Sequence, residues 1–339
     1  MSQVQLDSAK DLALPLLKVS NLSVSFRKSR KLFGNREDSY EIKAVDRVSF
    51  NIFESEIVSL VGESGSGKTT VARCILGLVP ATSGSINFRG EEVTRLKGSS
   101  LHNYWKSVQM IYQDPFESLD PGQSVYSIVS APIRNLTGES RPEVIKTRVS
   151  EILSELDLDP DEVIWKYPHQ LSGGQRQRVN IGRALAANPS LLIADEPITM
   201  LDAAQRLTIL ALLRRLQRNR KLSILLITHD LASAKVMSQR TLVMYLGKLV
   251  EYGPTRELMA RPHHPYVELI LESTPRLVKT SGPKSFDQLS WIEQSEKVRR
   301  GCVYQPRCKY ATEICKSVEP ELVERSKGNF AACHNPLNV

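Results

Sequence analysis

Three glycines, a lysine and a threonine at fixed spacing offer the first chemistry. Gly62-Glu63-Ser64-Gly65-Ser66-Gly67-Lys68-Thr69 fits the pattern G-x-x-x-x-G-K-[ST], and Thr70 follows it. Glycines at these places let backbone N–H groups curl around a β-phosphate, while the N-terminus of the next helix adds its dipole. Lys68 is then placed for the β- and γ-phosphates, and Thr69 for Mg²⁺. Such a loop alone says only that phosphate is bound.

Two further segments narrow the chemistry. Leu191-Leu192-Ile193-Ala194-Asp195-Glu196 is an apolar strand ending in two carboxylates, the second metal-anchoring element of P-loop ATPases. Asp195 would hold Mg²⁺ through water, and Glu196 would orient and polarise the water that attacks ATP. A plain acidic turn is the alternative, and the phosphate loop argues against it. Leu171-Ser172-Gly173-Gly174-Gln175 opens a helix, where Ser172 and the glycine N–H groups make a second anion site. That site cannot fold back onto its own phosphate loop but can cap a γ-phosphate held by another subunit. Ser172 also suits an ordinary helix N-cap.

The elements that must position these residues are legible as periodicities. Residues 17–26 and 44–52 alternate apolar and polar side chains with β-branched content and are predicted strands, joined by a polar connection. Residues 56–61 form a short apolar strand that leads into the glycine-rich turn and a helix over 68–78. Residues 144–156 show helical spacing between Pro142 and Pro160, within a helical insert spanning about 114–170. The apolar runs 191–194 and 224–228 suit buried parallel strands separated by an amphipathic helix over 204–217. A hairpin over 242–252 closes the core near Gly253-Pro254. The fold class is therefore α/β, with residues 15–254 as the main domain and 255–339 as an extension carrying a linker near 280–283.

Composition limits the partners. No stretch approaches the eighteen apolar residues of a membrane-spanning helix, and the N-terminus lacks the pattern of a secretion signal, so a cytosolic chain is expected. The net charge of +8 raises nucleic acid as a partner, but the basic residues are dispersed. The densest group, Arg27, Lys28, Arg30, Lys31 and Arg36, is expected in a solvated loop, with acidic lipid headgroups as the functional alternative. No nucleic-acid partner is expected. Cys74 stands alone among apolar neighbours and suits packing. Cys302, Cys308, Cys315 and Cys333 cluster at the C-terminus, and in a reducing compartment such a group favours metal over disulfides.

In its motifs and their order the chain resembles the ABC transporter ATPases, with Leu171-Ser172-Gly173-Gly174-Gln175 similar to the family signature. The resemblance implies a P-loop NTPase core with an N-terminal antiparallel β portion, a helical subdomain and a small Cys-rich C-terminal extension. It implies that Gln113 senses Mg²⁺ and links the core to the insert, that His229 contacts the γ-phosphate, and that Asp202 runs along a dimer seam. The segment Ile198-Thr199-Met200 departs from the commoner T-S-A wording before Leu201-Asp202. An aromatic upstream of the loop stacks on adenine in this family; Phe26 is the first choice and Tyr40 the alternative.

Pro262-His263-His264-Pro265-Tyr266 and the cysteine-rich end resemble the oligopeptide and dipeptide importer ATPases, over nearly the whole chain. That resemblance implies a [4Fe-4S] cluster on Cys302, Cys308, Cys315 and Cys333, with zinc as the alternative, free thiols or a disulfide remaining open, and His334 as a substitute ligand. It further implies a second ATPase subunit, making a hetero-dimer or a homodimer, two membrane permease subunits and an extracytoplasmic substrate-binding protein. The segment Leu32-Phe33-Gly34 resembles the second member of such ATPase pairs. The expected function is ATP hydrolysis powering peptide uptake at the cytoplasmic face of the membrane. The alternative is a soluble ABC ATPase acting on ribosomes or DNA, although the chain has neither the two cassettes nor the long coiled-coil insertion usual there.

Overall fold

The computed structural model describes residues 14–31, 37–273 and 300–338, and side chains are described outside 28–40. The chain opens with β1 (Leu17–Lys31) and β2 (Glu37–Ile52), an antiparallel pair whose register runs from Leu17 opposite Ile52 to Lys31 opposite Glu37. The polar connection expected after Phe26 is instead a continuation of both strands. Its side chains carry no apolar alternation, but backbone pairing needs none. The basic residues Arg27, Lys28, Arg30 and Lys31 therefore lie on a strand rather than a loop. Residues 32–34 and 280–283 lie outside the described residues.

β3 (Ile57–Val61) is buried along its whole length and leads through the phosphate loop into α1 (Lys68–Ile75). β4 (Ser83–Phe88) and β5 (Glu91–Glu92) complete an antiparallel sheet in the order β2-β1-β4-β5. α2 (Gly98–Ser107) then precedes β6 (Val108–Ile111). The insert follows as α3 (Pro115–Ser118), α4 (Val125–Pro132), a π turn over Ile133–Thr137, α5 (Pro142–Glu155) and α6 (Pro160–Val163). The expected helix over 144–156 is α5, and Pro142 stands at its first turn, where a missing N–H costs nothing.

α7 (Gly173–Leu185), β7 (Leu191–Asp195), α8 (Ala203–Arg220), β8 (Ser223–Thr228), α9 (Leu231–Met237), β9 (Arg240–Tyr245) and β10 (Lys248–Pro254) finish the core. The extension supplies α10 (Thr255–Ala260), α11 (Pro265–Ser273), α12 (Glu313–Ser317), β11 (Val323–Ser326) and β12 (Asn329–Ala331). Among the described residues the second sheet runs β11-β12-β10-β9-β3-β8-β7-β6, parallel from β9 to β6 and antiparallel toward the other end. The tail thus adds a hairpin to the edge of the core sheet, with Glu251 opposite Ala331.

The central strands read as continuous apolar runs because both faces of the sheet are covered. One face packs on the insert and α7 through residues such as Val149, Leu153, Val179 and Leu226. The other packs on α1 and the antiparallel sheet through Val19, Val48, Leu60 and Ile75. Cys74 is buried here, and burial pushes its thiol up to about 11, as the packing role requires. A third cluster joins β9 and β10 to the extension: Val243, Tyr245, Leu258, Tyr266, Cys302, Tyr304 and Cys315.

Candidate nucleotide site

Strands β6, β7, β8 and β3 lie side by side and parallel, so one register row runs Ile111, Ala194, Leu226, Ser59. Two residues farther along, the same row reaches Gln113, Glu196, Thr228 and Val61. The sequence therefore delivers Gln113, Glu196, His229 and the glycine-rich loop to one edge, at the carboxyl ends of adjacent strands. Ligands of open α/β sheets bind at such an edge.

The loop after β3 is shaped by its glycines. A Cβ on Gly62 would stand 2.3 Å from the Met244 carbonyl oxygen. Gly67 has a φ of 101°, and a Cβ there would stand 2.2 Å from the Ala44 carbonyl oxygen. Gly67 caps α1 without any side-chain hydrogen bond, so the helix presents backbone N–H groups with no side chain of its own to satisfy them. Gly65 is likewise left-handed, Ser64 is exposed, and the Ser66 N–H donates to the Glu63 carbonyl at 3.1 Å. The Gly247 N–H donates to the Ser66 carbonyl at 3.0 Å, tying the loop to the β9–β10 turn. Lys68 is buried, and its Nζ donates to the carbonyls of Gly62 at 2.7 Å and Glu63 at 2.8 Å. Burial pulls its ammonium below the usual lysine range, against the carboxylates of Glu196, Asp195 and Glu63, which hold it up.

Asp195 ends β7 at 2% exposure. Burial raises its pKa, while a hydrogen bond from Thr69 pulls it down. Asp195 Oδ1 is buried with no hydrogen-bond partner among the described residues, so this carboxylate and the Thr69 hydroxyl fit a divalent cation. Thr70 is half-buried in the first turn of α1.

Glu196 adopts the left-handed φ of 46°, a conformation sparsely used outside glycine, with its N–H on the Ile227 carbonyl at 2.9 Å. Three groups converge on its Oε2: Gln113 Nε2 at 3.2 Å, the Thr199 hydroxyl at 2.9 Å and His229 Nδ1 at 3.4 Å. The hydrogen bond with His229 lowers the Glu196 pKa and in return raises that of His229. An ionised, oriented carboxylate of this kind can accept a proton from water. Thr199 lies in the segment that departs from the family wording, and its hydroxyl is a contact that strand periodicity does not reveal.

Ser172 caps α7. Its hydroxyl accepts from the Gln175 N–H at 3.2 Å, and Gln175 Oε1 accepts from the Ser172 N–H at 3.0 Å. Leu171 is buried, and its carbonyl accepts from Arg176 Nε at 3.1 Å. Gly173 and Gly174 pack toward Gln205, and a Cβ on Gly174 would stand 3.5 Å from the Gln205 amide. No hydrogen bond joins Leu171-Ser172-Gly173-Gly174-Gln175 to the phosphate loop among the described residues. Asp202 caps α8, accepting from Gln205 N–H at 2.8 Å, and is exposed. Phe26 stands on β1 opposite Ile42 and is 42% exposed; the side chain of Tyr40 lies outside the described ones.

The extension reaches the loop as well. The Glu63 N–H donates to Tyr266 Oη at 3.0 Å, and Arg307 Nη1 and Nη2 donate to the Glu63 carboxylate at 2.9 and 3.1 Å. Neither contact is visible in the sequence, because the partners lie 203 and 244 positions apart. All four C-terminal cysteines are free thiols. Burial, with smaller contributions from Cys302, Cys308 and Cys315, pushes the Cys333 thiol up to about 11, and Cys302, Cys308 and Cys315 pack in one cluster. Among the described residues no three His, Cys, Asp or Glu side chains form a group that could hold a metal ion. Neither expected occupant, a [4Fe-4S] cluster or zinc, finds a ready-made group of ligands among the described residues. His334 Nε2 bonds the Val318 carbonyl at 2.9 Å.

A family model described as ABC transporter matches residues 45–199, and one described as oligopeptide/dipeptide transporter, C-terminal region, matches residues 250–315. The chain is 38% identical over 301 residues to the oligopeptide transport ATP-binding protein AppF of Bacillus subtilis, covering 87% of this chain and 90% of that one. It is 37% identical over 332 residues to the dipeptide transport ATP-binding protein DppD of Haemophilus influenzae, covering 96% and 97%. The dimeric post-hydrolysis structure of the ATP-binding cassette MJ0796, bound to ADP and Pi, superposes with a TM-score of 0.60 at 30% identity, over 71% of this chain and 99% of that one. The cbiO1 protein of Clostridium perfringens, part of the ABC transporter complex cbiONQ, gives 0.62 at 26% identity, over 73% and 91%. Likeness at this level along almost the whole length, joined to a site built at four parallel strand ends, settles the family: the chain is an ABC transporter ATPase, an ATP-binding subunit of the oligopeptide/dipeptide type.

Proposed function

We propose that this chain hydrolyses ATP on the cytoplasmic face of a membrane to drive uptake of short peptides through two permease subunits, with an extracytoplasmic binding protein choosing the cargo. The observation that carries the mechanism is the convergence of Gln113, Thr199 and His229 on one oxygen of Glu196, beside a glycine-lined loop. The peptide cargo is supported by the relatives' names and by the match of residues 250–315 to a peptide-transporter region. Among the described residues no helix is long and apolar enough to cross a membrane.

In this mechanism the loop from Gly62 to Thr70 cradles the phosphates, Lys68 neutralises the β- and γ-phosphates, and Phe26 supports adenine. Thr69, Gln113 and Asp195 would hold Mg²⁺, which would supply positive charge to the phosphates. Glu196 takes a proton as the water oxygen bonds to the γ-phosphorus, and the bond to the β-phosphate oxygen breaks, leaving ADP and phosphate. His229 orients the carboxylate and faces the γ-phosphate. Ser172 and the N–H groups of Gly173 and Gly174 complete the site of a second cassette across a seam that includes Asp202. The second cassette is a paired, different ATPase subunit. Residues 15–254 form the motor and residues 255–339 an extension that steadies it.

The Cys302, Cys308, Cys315 and Cys333 thiols are assigned to a [4Fe-4S] cluster on the resemblance of the cysteine-rich end to the importer ATPases, with zinc as the alternative. What supports an occupant is four free thiols within one C-terminal segment.

The test is uptake of labelled di- to pentapeptides in cells lacking this chain. Uptake falls to background and returns with the wild-type chain but not with Lys68→Ala. Intact peptide uptake with loss of an oligosaccharide or nickel would transfer the assignment to that cargo, and co-sedimentation with ribosomes in place of membranes would overturn transport.

A further inference from the structure

The phosphate loop contains an acidic residue at its second position, which is chemically awkward. Glu63 is the neighbour of Gly62, its carbonyl accepts from Lys68 Nζ at 2.8 Å, and its carboxylate lies near enough to Lys68 to hold that ammonium's pKa up. A bare carboxylate here would repel a polyphosphate and compete for the lysine meant to bind it.

The extension answers this charge. Arg307 meets both Glu63 oxygens, Nη1 to Oε2 at 2.9 Å and Nη2 to Oε1 at 3.1 Å, in the parallel two-bond geometry that makes arginine–carboxylate pairs strong. The guanidinium is itself held: Nη1 reaches Tyr245 Oη at 3.4 Å, and its carbon lies 5.7 Å from the Tyr245 ring centre and 6.0 Å from that of Tyr304. It stands in a tight turn over Gln305–Arg307, whose Gln305 N–H bonds the Cys302 carbonyl at 3.1 Å and whose end passes the Cys308 N–H to the Gln305 carbonyl at 3.2 Å. Tyr266, fully buried in the same aromatic cluster, accepts the Glu63 N–H at 3.0 Å. One loop residue is thus gripped by its backbone and by its side chain, both times from the extension.

We propose that Arg307 is a positioning residue for nucleotide binding, which cancels the Glu63 carboxylate and fixes its direction so that Lys68 and the loop N–H groups remain available to phosphate. The inference rests on ATP binding at this loop, not on the cargo or on a metal at the cysteines.

The experiment measures Mg-ATP affinity of the full-length chain by titration with a fluorescent ATP analogue, alongside thermal melting and the steady-state kcat and KM of the assembled transporter. Arg307→Ala weakens binding by roughly tenfold, the scale of one unit charge a few ångströms from a partly exposed phosphate site, and raises KM more than it lowers kcat. Adding Glu63→Gln to that variant recovers most of the loss, Arg307→Lys keeps part of the affinity, and the deficit shrinks as ionic strength rises. Affinity unchanged in Arg307→Ala would overturn the proposal. So would a loss that Glu63→Gln does not relieve, which assigns Arg307 to holding the extension alone. Should Arg307→Ala fail to fold, the charge swap Arg307→Glu with Glu63→Arg carries the same decision: recovered affinity relative to Arg307→Glu alone supports the pairing, and no recovery overturns it. Complete loss of ATP binding in the wild-type chain would instead strike the nucleotide site itself, a different failure.

Discussion

His229 Nδ1 stands 3.4 Å from Glu196 Oε2, close enough for each side chain to set the protonation of the other. The pair holds Glu196 ionised and His229 charged together over a window of pH. Glu196, lowered from 4.5, contributes its half above that value and loses it as pH falls through its depressed pKa. His229, raised from 6.5, contributes below that value and loses it as pH rises through its elevated pKa. His229→Ala should therefore move the acid limb of the ATPase pH profile to higher pH, besides lowering the rate. Glu196→Gln should cut turnover by about 10²–10⁴-fold and, with ATP, accumulate a closed dimer in size-exclusion chromatography. Ordinary turnover in that variant would remove Glu196 as the base.

Ser172→Ala separates a local role from a shared one. Loss of the hydroxyl that accepts the Gln175 N–H should cost about 1 kcal/mol of stability, while the Ser172 N–H keeps its bond to Gln175 Oε1. Should Ser172 also complete a second cassette's site, ATPase activity at saturating ATP falls far more than the small drop in melting temperature accounts for. Equal, small effects on both would confine Ser172 to its helix.

Gly67→Ala tests the cradle. Its φ of 101° and the Ala44 oxygen 2.2 Å from a new Cβ leave no unstrained placement for a methyl group. Mg-ATP affinity should fall by about a hundredfold in the same titration, whereas Gly90→Ala, strained by a φ of 85° but with nothing within 4 Å of its Cβ, should leave affinity unchanged.

The stability of the extension should depend on Glu251. This carboxyl is fully buried, accepts the N–H of His263 at 3.0 Å, and accepts that of His264; burial pushes its pKa up to about 7. His264, equally buried, is pushed down to about 3 and stays neutral. Because the folded state holds the Glu251 proton more tightly, stability is greatest below pH 4.5 from this group and falls as pH rises through about 7. The full difference corresponds to about 3 kcal/mol. Glu251→Gln should narrow the change in melting temperature between pH 5 and pH 8 by about 5 °C.

Anaerobically purified protein should be brown, with broad visible absorption that Cys308→Ser bleaches. A colourless protein with stoichiometric zinc would remove the cluster, and a colourless, metal-free protein would leave four thiols.

The core was readable because burial on both sides writes itself into composition: Leu191–Asp195 and Ser223–Thr228 are apolar runs with no polar break before their ends. Asp195 and Glu196 were readable for a related reason, since they close such a run, whereas Gln113 and His229 stand out only through the family resemblance. The arms of β1 and β2 beyond Phe26 and before Ala44 were not, because a ladder between polar strands leaves no apolar signature. Val323–Ser326 and Asn329–Ala331 are too short for periodicity to show, although Gly328 with a φ of 73° marks their turn. Thr199 reaches Glu196 only three residues back, through a turn that apolar periodicity does not mark, whereas Tyr266 and Arg307 act through distant partners, and no local pattern encodes a contact between position 63 and position 307.

Cutting the chain after Pro254 would strip β12 from β10 and bare amide and carbonyl groups along a strand that is almost wholly buried. Such a rim is an invitation to another chain's strand, so a minimal cassette prepared without its last eighty-five residues gains a tendency to clump. The hairpin at the far end of the polypeptide serves the motor as a selvedge, keeping the weave from being extended by strangers.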